Sequence, residues 1–388
     1  MFMWPKERTA FLIIHGVGEQ NPFETLDFFV TNFLKVLIKK NHDKSISVKH
    51  EIKPRNGWIE NYISLFRENQ PECPIDFYEY YWAYKMERKI TFKEIIDWLI
   101  KTSDGARKFY DENENIVKEY ETKGSIAFKG GKFKSRWYLK HIGWLLRLLT
   151  FLKLPKIPYF EPVLELIKPV VKMCIGKGKK LFIDYLGDAA IYTTTDIKSK
   201  HYDIRKSILD DSIDKIKALI EDGNYKEIII VGHSLGSVIA FDTLNKINHA
   251  MNVKSIDQHL ADKIKGFITF GSPLDKIAFF FREHTPDSQY IRRQILAHFH
   301  GFKSINLNLQ KNGLKVENPI KPLLDVHIKW INFYDDNDPV SGHLDFYKVD
   351  KNIKYDMEKP YGISHLAYWK YEKMYVDICE NYFKYDIS

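Results

Sequence analysis

The stretch Ile228–Ala240, IIIVGHSLGSVIA, constrains the fold more than any other part of the chain. Glu227–Val231 is a β-branched apolar run of strand length. A run that is apolar on both faces suits a parallel strand covered by helices on either side. Ser237–Leu244 has neither proline nor internal glycine and reads as a helix. Between them lies Gly-x-Ser-x-Gly, centred on Ser234. The three fixed residues alone recur by chance in about one chain in ten of this size. Strand, sharp turn and helix around them make the pattern informative. This is the setting in which a serine is held out at a strand end, beside glycines that allow close approach and helix N–H groups that stabilise negative charge. Ser234 is therefore the candidate nucleophile.

A strand–helix unit of this kind calls for more of the same, and the rest of the chain supplies it. Thr9–Ile14 reads as a strand, Pro22–Lys40 as a helix and Ile75–Ala83 as a strand. Residues 201–222 carry isoleucines and leucines at helical spacing. Ile264–Phe270 and Val326–Tyr334 read as strands, separated by an irregular polar region to about Asp325, and a helix from Leu366 to Phe383 closes the chain. Strands alternating with helices imply an α/β fold with a mostly parallel central sheet flanked by helices. Residues 8–84 and 201–388 form its core. Residues 85–200, rich in lysine and aromatics, break the rhythm and are expected to be an inserted, mainly helical cap or lid.

A serine hydroxyl needs a base, and the base needs a carboxylate to orient it. In this topology they follow in chain order on later strand ends. The segment WINFYDDNDPVSGH ends a strand and enters a loop. Asp338 lies furthest along it and is the preferred carboxylate, with Asp335 second and Asp336 expected to form an Asx turn. His365, in GISHLAYWKY, is the expected general base, near the start of the last helix. His343 follows Asp338 too closely to reach across as a separate loop. His233 is expected to point away as a packing residue. Two amide donors are needed for an oxyanion: Leu235, after the nucleophile, and Val17 in the early loop FLIIHGVGEQNP, with Gly18 as its alternative. His15 is expected to shape that loop, since no ligand-spaced partners stand nearby. Ser272, in TFGSPLD, reads as a turn residue on the pocket floor. No metal and no organic cofactor is expected.

LIIHGVGEQ, VGHSLGSVIAFD, TFGSPL, NFYDDNDPV and SHLAYW together resemble the α/β-hydrolase superfamily in its lipase and esterase branch. The elbow GHSLGSVIAFD is similar to that of the intracellular phosphatidic-acid-preferring phospholipases A, and TFGSPL and DPVSG are similar to class 3 lipase loops. The resemblance covers the core segments and not residues 85–200. It implies a serine hydrolase that cleaves carboxylic esters, with acyl chains of glycerophospholipids as the expected substrate. An esterase or thioesterase for a small soluble substrate is the alternative. A non-catalytic scaffold is a third reading, one that has no need of the ordered serine, aspartate and histidine.

Charge bears on which substrate is reached. The formal net charge is +8 over 388 residues. Between Lys123 and Lys180 stand 14 basic and 2 acidic residues, against 45 basic and 49 acidic elsewhere, so one segment supplies the whole excess. Its cations are spaced among Trp144, Leu145, Leu148 and Leu149, a composition suited to a helix lying in a membrane interface. Each cation near an anionic surface adds about 1 kcal/mol. The other reading is a cap packed on the core with solvated lysines. Aliphatic rather than stacking surface between the cations argues against nucleic acid. Three separated cysteines and the lack of a cleavable leader or an 18-residue apolar run suggest a cytoplasmic protein, peripheral on the inner membrane face. The oligomeric state is open.

Overall fold

The computed structural model describes residues 4–17, 21–41, 45–55, 58–86, 94, 97–98, 128–129, 132–133, 187–193, 197–275, 289–304, 316–325, 328–338, 340–359 and 364–383. Eight strands form one sheet: β1 (Thr9–Ile14), β2 (Ile46–Arg55), β3 (Trp58–Arg67), β4 (Gln70–Tyr80), β5 (Glu227–His233), β6 (Ile264–Phe270), β7 (Lys329–Asp335) and β8 (Lys351–Tyr355). Their spatial order is β8-β7-β6-β5-β1-β4-β3-β2. From β8 to β4 every neighbouring pair is parallel, while β3 runs antiparallel to both β4 and β2. This is the mostly parallel α/β sheet that the sequence implies.

Alternate residues of the central strands feed two cores on opposite faces. Leu12, Ile14, Ile228 and Ile230 pack with helices α2 (Tyr202–Glu221) and α3 (Leu235–Asn252). Phe11, Ile13, Ile229 and Val231 pack with helix α1 (Glu24–Asn41) and with the last helix. That two-sided burial is why β1 and β5 are apolar throughout. In α1 the buried Leu26, Phe29, Val30, Phe33 and Leu37 recur at three- and four-residue spacing and form one stripe. Helix α3 is buried over most of its length, because it packs against both the sheet and α2.

Several elements differ from the sequence reading. The hairpin β2–β3 was not foreseen, because β2 is mostly exposed and rich in charge and lacks a continuous apolar run. Strand β4 starts earlier than Ile75 and ends at Tyr80. The polar region before Asp325 contains helix α4 (Tyr290–Phe299), in which only Gln294 is buried. Strand β8, KNIKY, is short and half exposed. The closing helix is broken into a turn at Ser364–Ala367, a 3-10 turn at Tyr368–Lys370 and helix α5 (Glu372–Tyr382).

Most of residues 85–200 lies outside the described residues, including nearly all of the basic segment 123–180. Phe128–Lys129 and Lys132–Phe133 form a small antiparallel pair. At the far end, Ile191 and Tyr192 enter the core beneath α2 and α3. The Tyr192 hydroxyl donates to Asp242 on α3 at 3.0 Å, and Arg205 pairs with the same carboxylate oxygen at 3.0 Å. Among the described residues no helix is long and apolar enough to cross a membrane.

Phe11 is fully buried against four phenylalanine rings with centroids 5.1–6.2 Å away. Phe11→Ala leaves a cavity that these rings cannot collapse into without breaking their own contacts. It is expected to cost about 3–5 kcal/mol, read as a lower denaturant midpoint at unchanged slope.

Candidate active site

Parallel strands align their carboxyl ends, and ligands in such sheets sit beyond those ends. Here Ile14 pairs with Gly232, Gly232 with Thr269, and Phe270 with Phe333. The loops after β1, β5, β6 and β7 therefore leave the sheet side by side. The turn at Ser364–Ala367 meets them at the same rim.

Ser234 stands between β5 and α3 with φ 52° and ψ −129°, in the left-handed half of backbone space that non-glycine residues rarely occupy. Its neighbours hold it there. A Cβ on Gly236 would lie 2.2 Å from the Ile14 carbonyl oxygen and 2.3 Å from that of His15. A Cβ on Gly16 would lie 2.6 Å from Ser234 Cβ. Only glycine permits these approaches. The Ser234 N–H donates to the Phe270 carbonyl at 3.1 Å. The Ser234 carbonyl accepts from the Ser237 amide at 3.0 Å and the Ser237 hydroxyl at 2.6 Å. The hydroxyls of Ser237 and Ser272 lie 2.7 Å apart, so the turn after β6 braces the first turn of α3.

Ser234, His365 and Asp338 form one hydrogen-bonded chain. Ser234 Oγ lies 2.9 Å from His365 Nε2, and His365 Nδ1 lies 2.9 Å from Asp338 Oδ2. One tautomer serves both contacts: Nδ1–H donates to the carboxylate, and Nε2 accepts from the serine hydroxyl. Asp338 Oδ1 accepts from the Val340 amide at 2.9 Å. Burial raises the Asp338 pKa, but the His365 hydrogen bond and charge, the Val340 amide and the Ser341 hydroxyl outweigh it and hold the group at about 2. The Ser341 and Tyr368 hydroxyls, 3.0 Å apart, close the far side of this loop.

The other aspartates are placed elsewhere. Asp335 accepts from the Asn337 and Met357 amides, each at 2.7 Å, and so makes the Asx turn expected of Asp336. Asp336 instead pairs with Lys354 at the surface, because its side chain leaves the turn on the solvent side. His343 pairs with Asp345 at 2.9 Å and stays outside the chain.

His233 packs as expected, against Phe270 and Trp369 with centroids 4.9 Å from each. It does not, however, point away from the site. Its Nε2–H donates to the His365 carbonyl at 3.2 Å, and the two imidazoles are 5.0 Å apart. Burial and the His365 charge push its pKa down to about 3, which keeps it neutral. Gly271, with φ 60°, makes room for both rings. The support given by Ser237, Gly271, Ser341 and Tyr368 was not visible in the sequence, since each acts through a contact distant along the chain.

In the early loop, His15 is fully buried. Its Nδ1–H donates to the Gly16 carbonyl at 2.7 Å, and its Nε2 accepts from the Trp82 amide at 3.1 Å. Its ring stacks on Trp82 with centroids 4.9 Å apart and 5° between planes. Burial holds its pKa down to about 4, so it acts as a neutral clamp. Val17 follows directly on Gly16, which touches Ser234, and packs on the α2–α3 core. Leu235 is the first residue of α3, where a helix leaves its N–H groups without internal partners. Gly18 lies outside the described residues. Among the described residues, no group of three His, Cys, Asp or Glu side chains is arranged to hold a metal ion.

Two outcomes follow from this geometry. Gly236→Ala forces its methyl group into two backbone carbonyls and is expected to cost at least about 2 kcal/mol, measured by denaturant unfolding. Asp338 has a folded-state pKa of about 2 against an ordinary 3.8, so the unfolded chain takes up the proton first as pH falls. Its contribution is complete above pH 4 and disappears between pH 4 and pH 2. Wild type is expected to lose about 2 kcal/mol across that window that Asp338→Asn does not lose, measured by urea titration at each pH.

No curated protein and no solved structure matches the chain. Residues 173–288 match the family model described as Lipase (class 3). The match takes in Ser234 and the Ser272 turn and stops before Asp338 and His365. Sheet and family match together give this chain the fold of a lipase-like α/β-hydrolase.

Proposed function

We infer that this chain is a serine-dependent carboxylic ester hydrolase that releases acyl chains from glycerophospholipids at a membrane surface. The observation that carries the reading is the Ser234–His365–Asp338 chain, with both links at 2.9 Å. Ser234 Oγ attacks the acyl carbonyl while His365 Nε2 takes its proton. Asp338 fixes the tautomer and balances the imidazolium. The amides of Leu235 and Val17 stabilise the oxyanion. Collapse of the tetrahedral intermediate expels the alkoxide, which His365 protonates, leaving an acyl-serine. Water, deprotonated by His365, then attacks the acyl-serine, and the fatty acid leaves with Ser234 restored. The lipid end of the reading rests on the class 3 lipase match and on the basic, aliphatic composition of residues 123–180.

The test is fatty-acid release from anionic phospholipid vesicles, beside hydrolysis of a short soluble p-nitrophenyl ester, for wild type and Ser234→Ala. Wild type is expected to act on the vesicles, less so at high salt, because screening weakens attraction to the surface. Ser234→Ala is expected to lose about 10⁴-fold or more of the rate on both substrates, and Asp338→Asn about 10³- to 10⁴-fold. Turnover of the soluble ester alone replaces the phospholipase reading with the small-substrate esterase. Equal rates for wild type and Ser234→Ala overturn the role of Ser234.

A further inference from the structure

We propose that β2 is a dimerisation strand, on which a second copy of this chain pairs antiparallel about a two-fold axis through His50, extending the sheet across both molecules. Strand β2 is ten residues long and ends the sheet, and among the described residues no other strand pairs with its outer side. The face beside this open edge carries aliphatic side chains in water: Val48 is 49% exposed, Ile52 61% and Ile59 54%. Isolated exposed aliphatics are ordinary, but a cluster on an open sheet edge marks a surface for another strand.

The backbone settles which residues face outward. The Ser45 carbonyl accepts from the Glu68 amide at 3.3 Å, so the odd-numbered residues of this strand bond inward to β3. Pro54, with no N–H to donate, falls in the other set, where an edge strand tolerates proline. The outward groups are therefore those of Ile46, Val48, His50 and Ile52. An antiparallel two-fold pairing must join even residues with even residues.

Charge then selects the register. Centred on residue 49, the pairing sets Lys49 against its own copy. Centred on Glu51, it sets Glu51 against Glu51 and Lys49 against Lys53. Centred on His50, it sets Lys49 against Glu51 of the second copy, twice by symmetry, and Val48 against Ile52 on the opposite face, also twice. Opposite charges directly across a ladder are favourable and like charges unfavourable. Centring on Ile52 brings Glu51 to Lys53 but also Lys49 to Arg55, and centring on Val48 leaves Lys49 opposite Ser47. The His50 register is therefore the one that pairs Lys49 with Glu51 and sets no like charges opposite. The ion pairs give the strand specificity for itself, and the aliphatic pairs cover the exposed surface.

Sedimentation equilibrium of the full chain tests this, with circular dichroism and a thermal melt to establish that each variant is folded. Wild type is expected to run at twice the mass of the chain. Lys49→Glu and Glu51→Lys each place like charges across the dyad and are expected to weaken dimerisation about tenfold. The double variant restores opposite charges and is expected to recover wild-type affinity, which a general surface effect would not produce. His50→Cys is expected to form a disulfide-linked dimer on mild oxidation, because facing residues in a hydrogen-bonded pair lie about 5.5 Å apart between Cα atoms. Glu51→Cys, offset from its own copy, is not expected to cross-link beyond wild type. A single-chain mass at all concentrations overturns the proposal, as does a dimer whose affinity is unmoved by Glu51→Lys. Neither result touches the role of Ser234.

Discussion

Everything at the site is arranged around one close approach between backbones. Helix α3 begins so near the end of β1 that a methyl group at Gly236 would meet the Ile14 carbonyl at 2.2 Å. Close approach fixes where α3 starts and hence where Ser234 must turn. The residue adopts a left-handed conformation because strand and helix leave it no other path. Gly16 also approaches closely, where a Cβ would lie 2.6 Å from Ser234 Cβ. The early loop, the elbow and the first turn of α3 are therefore one packed unit, and the side chains that complete the site are arranged around it.

Electrostatics around this unit are graded by burial and partners. His15 and His233 are desolvated and stay neutral. Asp338 is also buried, yet it collects enough hydrogen bonds to remain a carboxylate. The result is a single fixed anion opposite the His365 imidazole, flanked by rings that do not compete with it for a proton. The Asp338 carboxylate thus meets His365 Nδ1 at 2.9 Å while His233 and His15 stay neutral nearby.

What the sequence revealed follows from how much surface each element buries. β1, β5 and β6 are legible because helices cover both faces, which leaves unbroken apolar runs with clear ends. Asp338 was separable from Asp335 by its place beyond the strand end. β2 and β8 were not legible, because each lies at a sheet edge with solvent on much of its surface, and the remaining pattern resembles a loop. The final helix read as continuous because its apolar spacing persists through Tyr368 and Trp369. Its break at Tyr371 depends on tertiary contacts, among them Asn32 donating to the Trp369 carbonyl at 3.0 Å. The part played by His233 escaped for the same reason: its partner, His365, is 132 residues away.

Among the described residues, the two cores lie on opposite faces of the sheet. Leu235 and Val238 root the serine in the core beneath α2 and α3, while Tyr368 and Trp369 root the histidine in the core beneath α1 and α5. The serine–histidine contact thus spans two separately packed clusters. The distance between Ser234 and His365 is therefore set by how the two clusters sit on the sheet they share.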